Sequence, residues 1–171
     1  KVTLLYHGLD FTRFDENTAV PARRDGSSED DPVQLVSVGR AVDKKGYEVL
    51  LAALAALPST LCWRFSHIGG GELLDSLQEQ ARNLGLDKRI EWLGALPQTE
   101  VLAQYREADL FVLPSKISDD GDRDGLPNVL MEAQSQGLAC LSTRISGIPE
   151  LIIHGETGCL VEQRNSVELA T

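Results

Sequence analysis

From residue 33 onward, short apolar runs alternate with stretches whose apolar side chains recur at helical spacing. The runs span 34–38, 62–68, 90–93, 110–113, 139–142 and 158–161, and turn-forming residues close most of them. Between them, Tyr47, Leu50, Leu51, Leu54 and Leu57 form one stripe, and Leu73, Leu74, Leu77, Ala81 and Leu84 a second. Leu126, Val129, Leu130 and Ala133 form a third. Periods of 3.6 between the runs predict amphipathic helices. Strands apolar on both sides need cover on both sides, so the alternation predicts an α/β domain with a parallel, Rossmann-like sheet and helices on both faces. Such sheets bind ligands beyond the carboxyl ends of their strands. Candidate site residues are therefore sought just after each strand.

The 171 residues suit one domain with a hydrophobic core. A further strand is expected at 2–6. The polar, acidic stretch 10–32, with Pro21, Gly26, Ser27 and Ser28, reads as a linker or mobile loop. The expected division is thus 1–32, interdomain strand and linker, and 33–171, binding domain. Residues 165–170 read as the start of a capped helix. Both ends read as boundaries within a longer chain. The formal net charge of −10 argues against a nucleic-acid partner, which needs a basic face. A small anion remains compatible, because one crevice can be basic inside an acidic protein. Cys62, Cys140 and Cys159 have no CxxC spacing, and are expected to be reduced core thiols of a cytoplasmic protein. No apolar run is long enough to span a bilayer, so membrane contact is expected to be peripheral at most. His7, His67 and His154 lack metal-ligand spacing; a turn role suits His7, beside Gly8.

Four segments follow strands. Gly39 to Gly46 sets two glycines and three cations, Arg40, Lys44 and Lys45, between a strand and a helix. Such cations give charge-assisted bonds to phosphate, although neither GxxxxGK[ST] nor GxGxxG is present, and a solvated turn is the plain alternative. Gly69-Gly70-Gly71 permits close backbone approach. Ser142 to Leu151 fits a short helix opened by a proline. The most informative segment runs from Asp119 to Glu132. Pro127 suits the first turn of a helix, whose amino end, with the Gly125 and Leu126 amides, favours an anion. Asp124 before that helix and Glu132 inside it are expected to face one crevice, where carboxylates suit sugar hydroxyls. Asp120, Asp122, Asp124 and Gly125 also match the opening of an EF-hand loop. The closing acid, however, is Glu132 rather than position 131, and the intervening residues are apolar. A solvated acidic loop is the other alternative.

In order, His7-Gly8-Leu9-Asp10, Val36-Ser37-Val38-Gly39-Arg40 with Lys45-Gly46, Gly69-Gly70-Gly71, Leu93-Gly94, Ala108 to Ser115, Gly125 to Glu132 and Ser146 to Leu151 resemble the C-terminal domain of retaining GT-B glycosyltransferases, family 4. The closest flavour is that of bacterial exopolysaccharide and lipopolysaccharide transferases. The resemblance implies a nucleotide-sugar donor, UDP-hexose with GDP-mannose as alternative, and no metal or other cofactor. It implies that Arg40 and Lys45 hold the diphosphate and that Asp124 binds donor-sugar hydroxyls, these three being the catalytic set. Glu132 takes the ribose, Gly94, Ala95 and Leu96 lie against the base, and Gly39, Gly125, Leu126, Asn128 and Val129 complete the donor site. Asp124 stands where the family has glutamate, one methylene longer. A glycan or lipid-linked acceptor would be bound by an N-terminal domain outside this chain, without which no transfer is expected. The location implied is cytoplasmic, extending to the cytoplasmic face of the inner membrane. A GT-B epimerase and a non-catalytic Rossmann-like binding module are the rival readings; a phosphorylase lacks a clear pyridoxal lysine.

Overall fold

The computed structural model describes residues 8–9 and 24–171. The strand expected at 2–6, His7 and most of the stretch 10–32 lie outside the described residues. Six parallel strands form one sheet: β1 (Val33–Val38), β2 (Trp63–Ile68), β3 (Ile90–Gly94), β4 (Leu110–Leu113), β5 (Cys140–Thr143) and β6 (Gly158–Val161). Between and after them lie α1 (Tyr47–Ala56), α2 (Leu74–Asn83), α3 (Gln98–Glu107), α4 (Asn128–Ser135), α5 (Ile148–Leu151) and α6 (Ser166–Leu169). The strand order is β3-β2-β1-β4-β5-β6. The chain thus winds outward from β1 to β3, crosses back through α3, and winds the other way from β4. Right-handed crossovers then put α1 and α2 on one face and α3 and α4 on the other. In keeping with this, α1 packs on α2 and α6, α3 on β1, and α4 on β4 and β5.

The central strands carry the core. Val36, Phe65, Phe111, Val112 and Leu113 are buried from β1, β2 and β4, and Leu50, Leu51, Leu130 and Ala133 seal the faces from α1 and α4. Each fully buried large aliphatic or aromatic side chain contributes about 1.5–3 kcal/mol. Four expectations need correction. The helix α3 was not foreseen, because its only buried side chains are Val101, Leu102 and Tyr105 amid polar neighbours. Helix α4 starts at Asn128, so Leu126 precedes it and Pro127 takes the capping position, accepting the Leu130 amide on its carbonyl. Cys159 is exposed and Cys62 half-buried, leaving Cys140 as the one buried thiol; Cys159 sits on β6, the edge strand among the described residues. Residues 24–32 are no free linker. Arg24 pairs with Asp109 at 3.1 Å, Asp109 also accepts the Gln34 amide at 2.8 Å, and the Cys62 amide donates to the Gly26 carbonyl.

The loops at the carboxyl ends of the strands are tied to one another. Ala41 N donates to the Gly70 carbonyl, Gly69 N to the Gly94 carbonyl, and Lys116 N to the Lys44 carbonyl, all at 2.7–2.9 Å. The approach of Gly69 to the loop after β1 needs glycine. A Cβ on Gly69, where φ is +140°, would lie 2.1 Å from the Gly39 carbonyl oxygen, whereas one on Gly70 would meet open space. Gly69→Ala is expected to lower stability by at least about 2 kcal/mol, as strained backbone and a main-chain clash do. Gly70→Ala should cost under about 1 kcal/mol. Urea unfolding of the two variants checks this, and equal midpoints would refute the close-approach argument.

Candidate active site

The reversal of winding between β1 and β4 opens a crevice at the carboxyl ends of the strands, as doubly wound sheets do. It measures about 420 Å³. The loop after β1 gives it Arg40, Val42, Asp43 and Lys44; the loop after β2 gives Glu72; the loop after β4 gives Ser118, Asp119, Asp120 and Asp122. The first loop makes a single 3-10 turn, Asp43–Lys45, and is stopped by Gly46 in the left-handed region. Gly46 is buried, and a Cβ there would lie 2.1 Å from the Pro114 carbonyl oxygen. The loops after β1 and β4 are therefore pressed together at the point of reversal.

Charge pairing follows the same seam. The Lys45 ammonium donates to Asp124 at 2.6 Å, with both side chains largely covered. Lys44 reaches Asp122 at 3.1 Å and Asp124 at 3.7 Å. Lys116, nearly buried, pairs with Asp43 at 2.7 Å and also with Glu48. Burial alone would lower the Lys116 ammonium, but its bonds to the two carboxylates outweigh it and hold the pKa above the ordinary lysine value. The Lys116 bond, with one from Ser118, holds the Asp43 carboxyl below its ordinary value. Asp119 is bound by Arg164 at 2.6 Å.

The site residues expected from sequence fall into groups. Lys45 and Asp124 meet directly. Arg40 is exposed and lines the crevice. Gly39, beneath it, donates its amide to the Ile68 carbonyl, and its α-carbon faces the Tyr47 hydroxyl and the Lys45 stem. Gly125 accepts the Gly147 amide, which ties the loop after β4 to that after β5. Leu126 and Val129 are half-buried and Asn128 is exposed. Gly94, left-handed at φ +66°, Ala95 and Leu96 leave the edge strand β3 and are held by the Gly69–Gly94 bond. Neither Asp124 nor Glu132 lines the crevice. Glu132 is half-buried, and its charge acts on the buried Tyr105 phenol, which burial first and Glu132 second push above its ordinary pKa. Lys116 escaped the reading from sequence, which gave Lys44 no role of its own. Lys44 was visible only as one more loop cation, and the partners of Lys116 come from another strand's loop and from α1. Of the carboxylates that resembled an EF-hand opening, Asp122 and Asp124 are spent on lysines, and Asp120 accepts the Asp122 amide. Among the described residues no group of three His, Cys, Asp or Glu is placed to hold a metal, and no helix is long and apolar enough to cross a membrane.

A buried aromatic cluster lies under the Gly39 turn. Ser37 donates to the Tyr47 hydroxyl at 3.2 Å, and the fully buried His67 ring stands edge-on to Tyr47 and tilted on Trp92.

The description "Glycosyl transferases group 1" matches this chain over residues 21–171. The amylovoran biosynthesis glycosyltransferase AmsK of Erwinia amylovora is 37% identical over 140 residues, which is 81% of this chain and 34% of AmsK. A GDP-mannose-dependent alpha-(1-6)-phosphatidylinositol monomannoside mannosyltransferase of Mycolicibacterium smegmatis is 32% identical over 161 residues, 91% of this chain and 41% of that protein. The chain therefore spans well under half the length of these relatives. Among solved structures, HepE of Anabaena in complex with UDP superposes with a TM-score of 0.71 over 83% of this chain and 38% of HepE, at 24% identity.

Burial pushes the His67 imidazole down to about 4, so the folded chain holds it neutral. The unfolded chain takes up that proton near pH 6.5. The stability held by the neutral ring is complete above pH 6.5 and is lost as pH falls toward 4, at about 1.4 kcal/mol per pH unit. Urea unfolding at pH 7, 6 and 5 should show a shallower pH slope in His67→Gln than in the parent; parallel slopes would contradict it.

Proposed function

The chain belongs to the glycosyl transferases group 1 family, and from that membership we propose that it is the donor-binding half of a retaining glycosyltransferase that transfers a hexose from a nucleoside-diphosphate sugar to a glycan or lipid-linked acceptor. The observation that carries this reading is the crevice where the winding reverses, with Arg40 in its wall and the Lys45–Asp124 pair beside it. The crevice wall also carries five carboxylates, and it is the cations on its β1 side, Arg40 and Lys44 with Lys45 beside them, that suit an anionic ligand.

In the proposed reaction the bond between the anomeric carbon and the diphosphate oxygen breaks, the acceptor oxygen bonds to that carbon from the same face, and the acceptor's proton passes to the leaving diphosphate oxygen. Negative charge grows on the leaving diphosphate. Arg40 and Lys45, their main chains fixed by the tied loops, neutralise it, Lys45 by sharing its ammonium between Asp124 and the diphosphate. Asp124, relieved of part of its bond to Lys45, accepts from hydroxyls of the donor sugar, and Glu132 from the ribose. Asp124 is shorter than glutamate, so its reach to the sugar is less by one methylene. The base rests against Gly94, Ala95 and Leu96. The acceptor is bound by the part of the enzyme beyond this chain, which spans 34% of AmsK. The reading needs no metal, works at the cytoplasmic side of the membrane, and allows peripheral contact with it. UDP bound to HepE and the GDP-mannose of the mannosyltransferase name the two donors to compare.

In the complete enzyme, Arg40→Ala or Lys45→Ala is expected to remove about 3 kcal/mol of transition-state stabilisation, more than a hundredfold in kcat/KM. Steady-state kinetics with UDP-hexose and GDP-mannose decide it: a loss of tenfold or less for Lys45→Ala contradicts its assigned role. Proton NMR of the product gives the anomeric configuration, and an inverted product rules out the retaining course.

A further inference from the structure

We infer that Lys44 is a third cation of the diphosphate subsite, held in place by Asp122 until an incoming anion takes over its ammonium group. The inference rests on the donor-binding reading and adds to it a residue with no assigned role. Of the three loop cations, Arg40 and Lys44 line the crevice; Lys45 is turned onto Asp124, with its stem against Gly39. The main chain of Lys44 is fixed by the 3-10 turn and by the Lys116 amide on its carbonyl. Its side chain is largely covered, at 19% exposure, so its ammonium has few other places to go.

Its nearer partner is of a different kind, the covered Asp124 lying farther off at 3.7 Å. Asp122 is 58% exposed and belongs to a turn closed by Ser118 N on the Asp122 carbonyl and Asp122 N on Asp120. A pair with so exposed a carboxylate is weak and screened by salt. A diphosphate offers more charge and several acceptor oxygens, and charge-assisted bonds to it are stronger. The remaining walls make this exchange necessary. Asp43 and Asp119 are offset by Lys116 and Arg164, but Glu72 and Asp120 have no ion pair among the described residues. An anion held by Arg40 and by a Lys45 shared with Asp124 would still face both of these carboxylates.

The test is calorimetric titration of UDP, inorganic pyrophosphate and uridine into the chain and into Lys44→Gln, Asp122→Asn and the double variant. Lys44→Gln should weaken UDP and pyrophosphate by about tenfold, the worth of one charge-assisted bond, and leave uridine unchanged. Asp122→Asn should tighten UDP by about two- to fivefold, the worth of an exposed ion pair, and the double variant should match Lys44→Gln. UDP affinity in Lys44→Gln within twofold of the parent overturns the inference, as does unchanged or weaker UDP binding in Asp122→Asn. If pyrophosphate binds and no nucleotide does, the donor reading fails while the pyrophosphate arm still decides Lys44. If neither binds, both fall.

Discussion

The pairing of β1 with β4 is the constraint on which the rest depends. Leu35 and Val36 of β1 stand opposite Leu110 and Phe111, and on the other side β1 pairs along its whole length with β2. A strand enclosed on both edges and both faces has to be apolar, which is why Val36 and Phe111 are buried and why the sequence there is dense in Val, Leu and Phe. Because β4 joins β1 rather than β3, the loops leaving β1 and β4 run on to helices on opposite faces, touching at Gly46 and Pro114 and diverging beyond that contact. The crevice is the geometric result. Its walls are firm because bonds between neighbouring loops, such as Lys116 N on the Lys44 carbonyl and Gly147 N on the Gly125 carbonyl, tie the whole rim together.

The electrostatics follow from that packing. The net charge of −10 would repel an anion at a distance, yet the rim gathers Arg40, Lys44, Lys45 and Lys116 along one seam. Each of the three lysines is matched by aspartate from a facing loop. Pairing keeps the cations charged in a partly buried place and aligns the two loops. It also means that an anionic ligand competes with internal carboxylates, most easily with exposed Asp122 and least with the covered Asp124.

Much of this was legible in the sequence, and the exceptions have physical causes. Strands β4 and β6 were located to the residue, because short apolar runs there meet polar turns sharply. The fold class followed from alternation alone. The ordered motifs pointed to the family, and they named Lys45 and Asp124, whose side chains pair across 79 positions. Helix α3 was missed because its apolar stripe is thin. The clamp of Lys116 on Asp43 and Glu48 was invisible, since nothing local to Ser115-Lys116-Ile117 marks a lysine that will be buried. The triple glycine was ambiguous in sequence; the structure gives it a cause in the contact of Gly69 with Gly39.

The central claim is that the nucleotide sugar binds where the winding reverses. A second crevice, of about 360 Å³, lies at the opposite ends of the strands and holds Arg64, Lys88 and Arg89, so a basic alternative exists on the same molecule. Amide chemical-shift mapping with UDP distinguishes them directly. The account predicts shifts concentrated in residues 39–46, 94–96 and 118–128. Shifts concentrated around Arg64, Lys88 and Arg89 instead would contradict it.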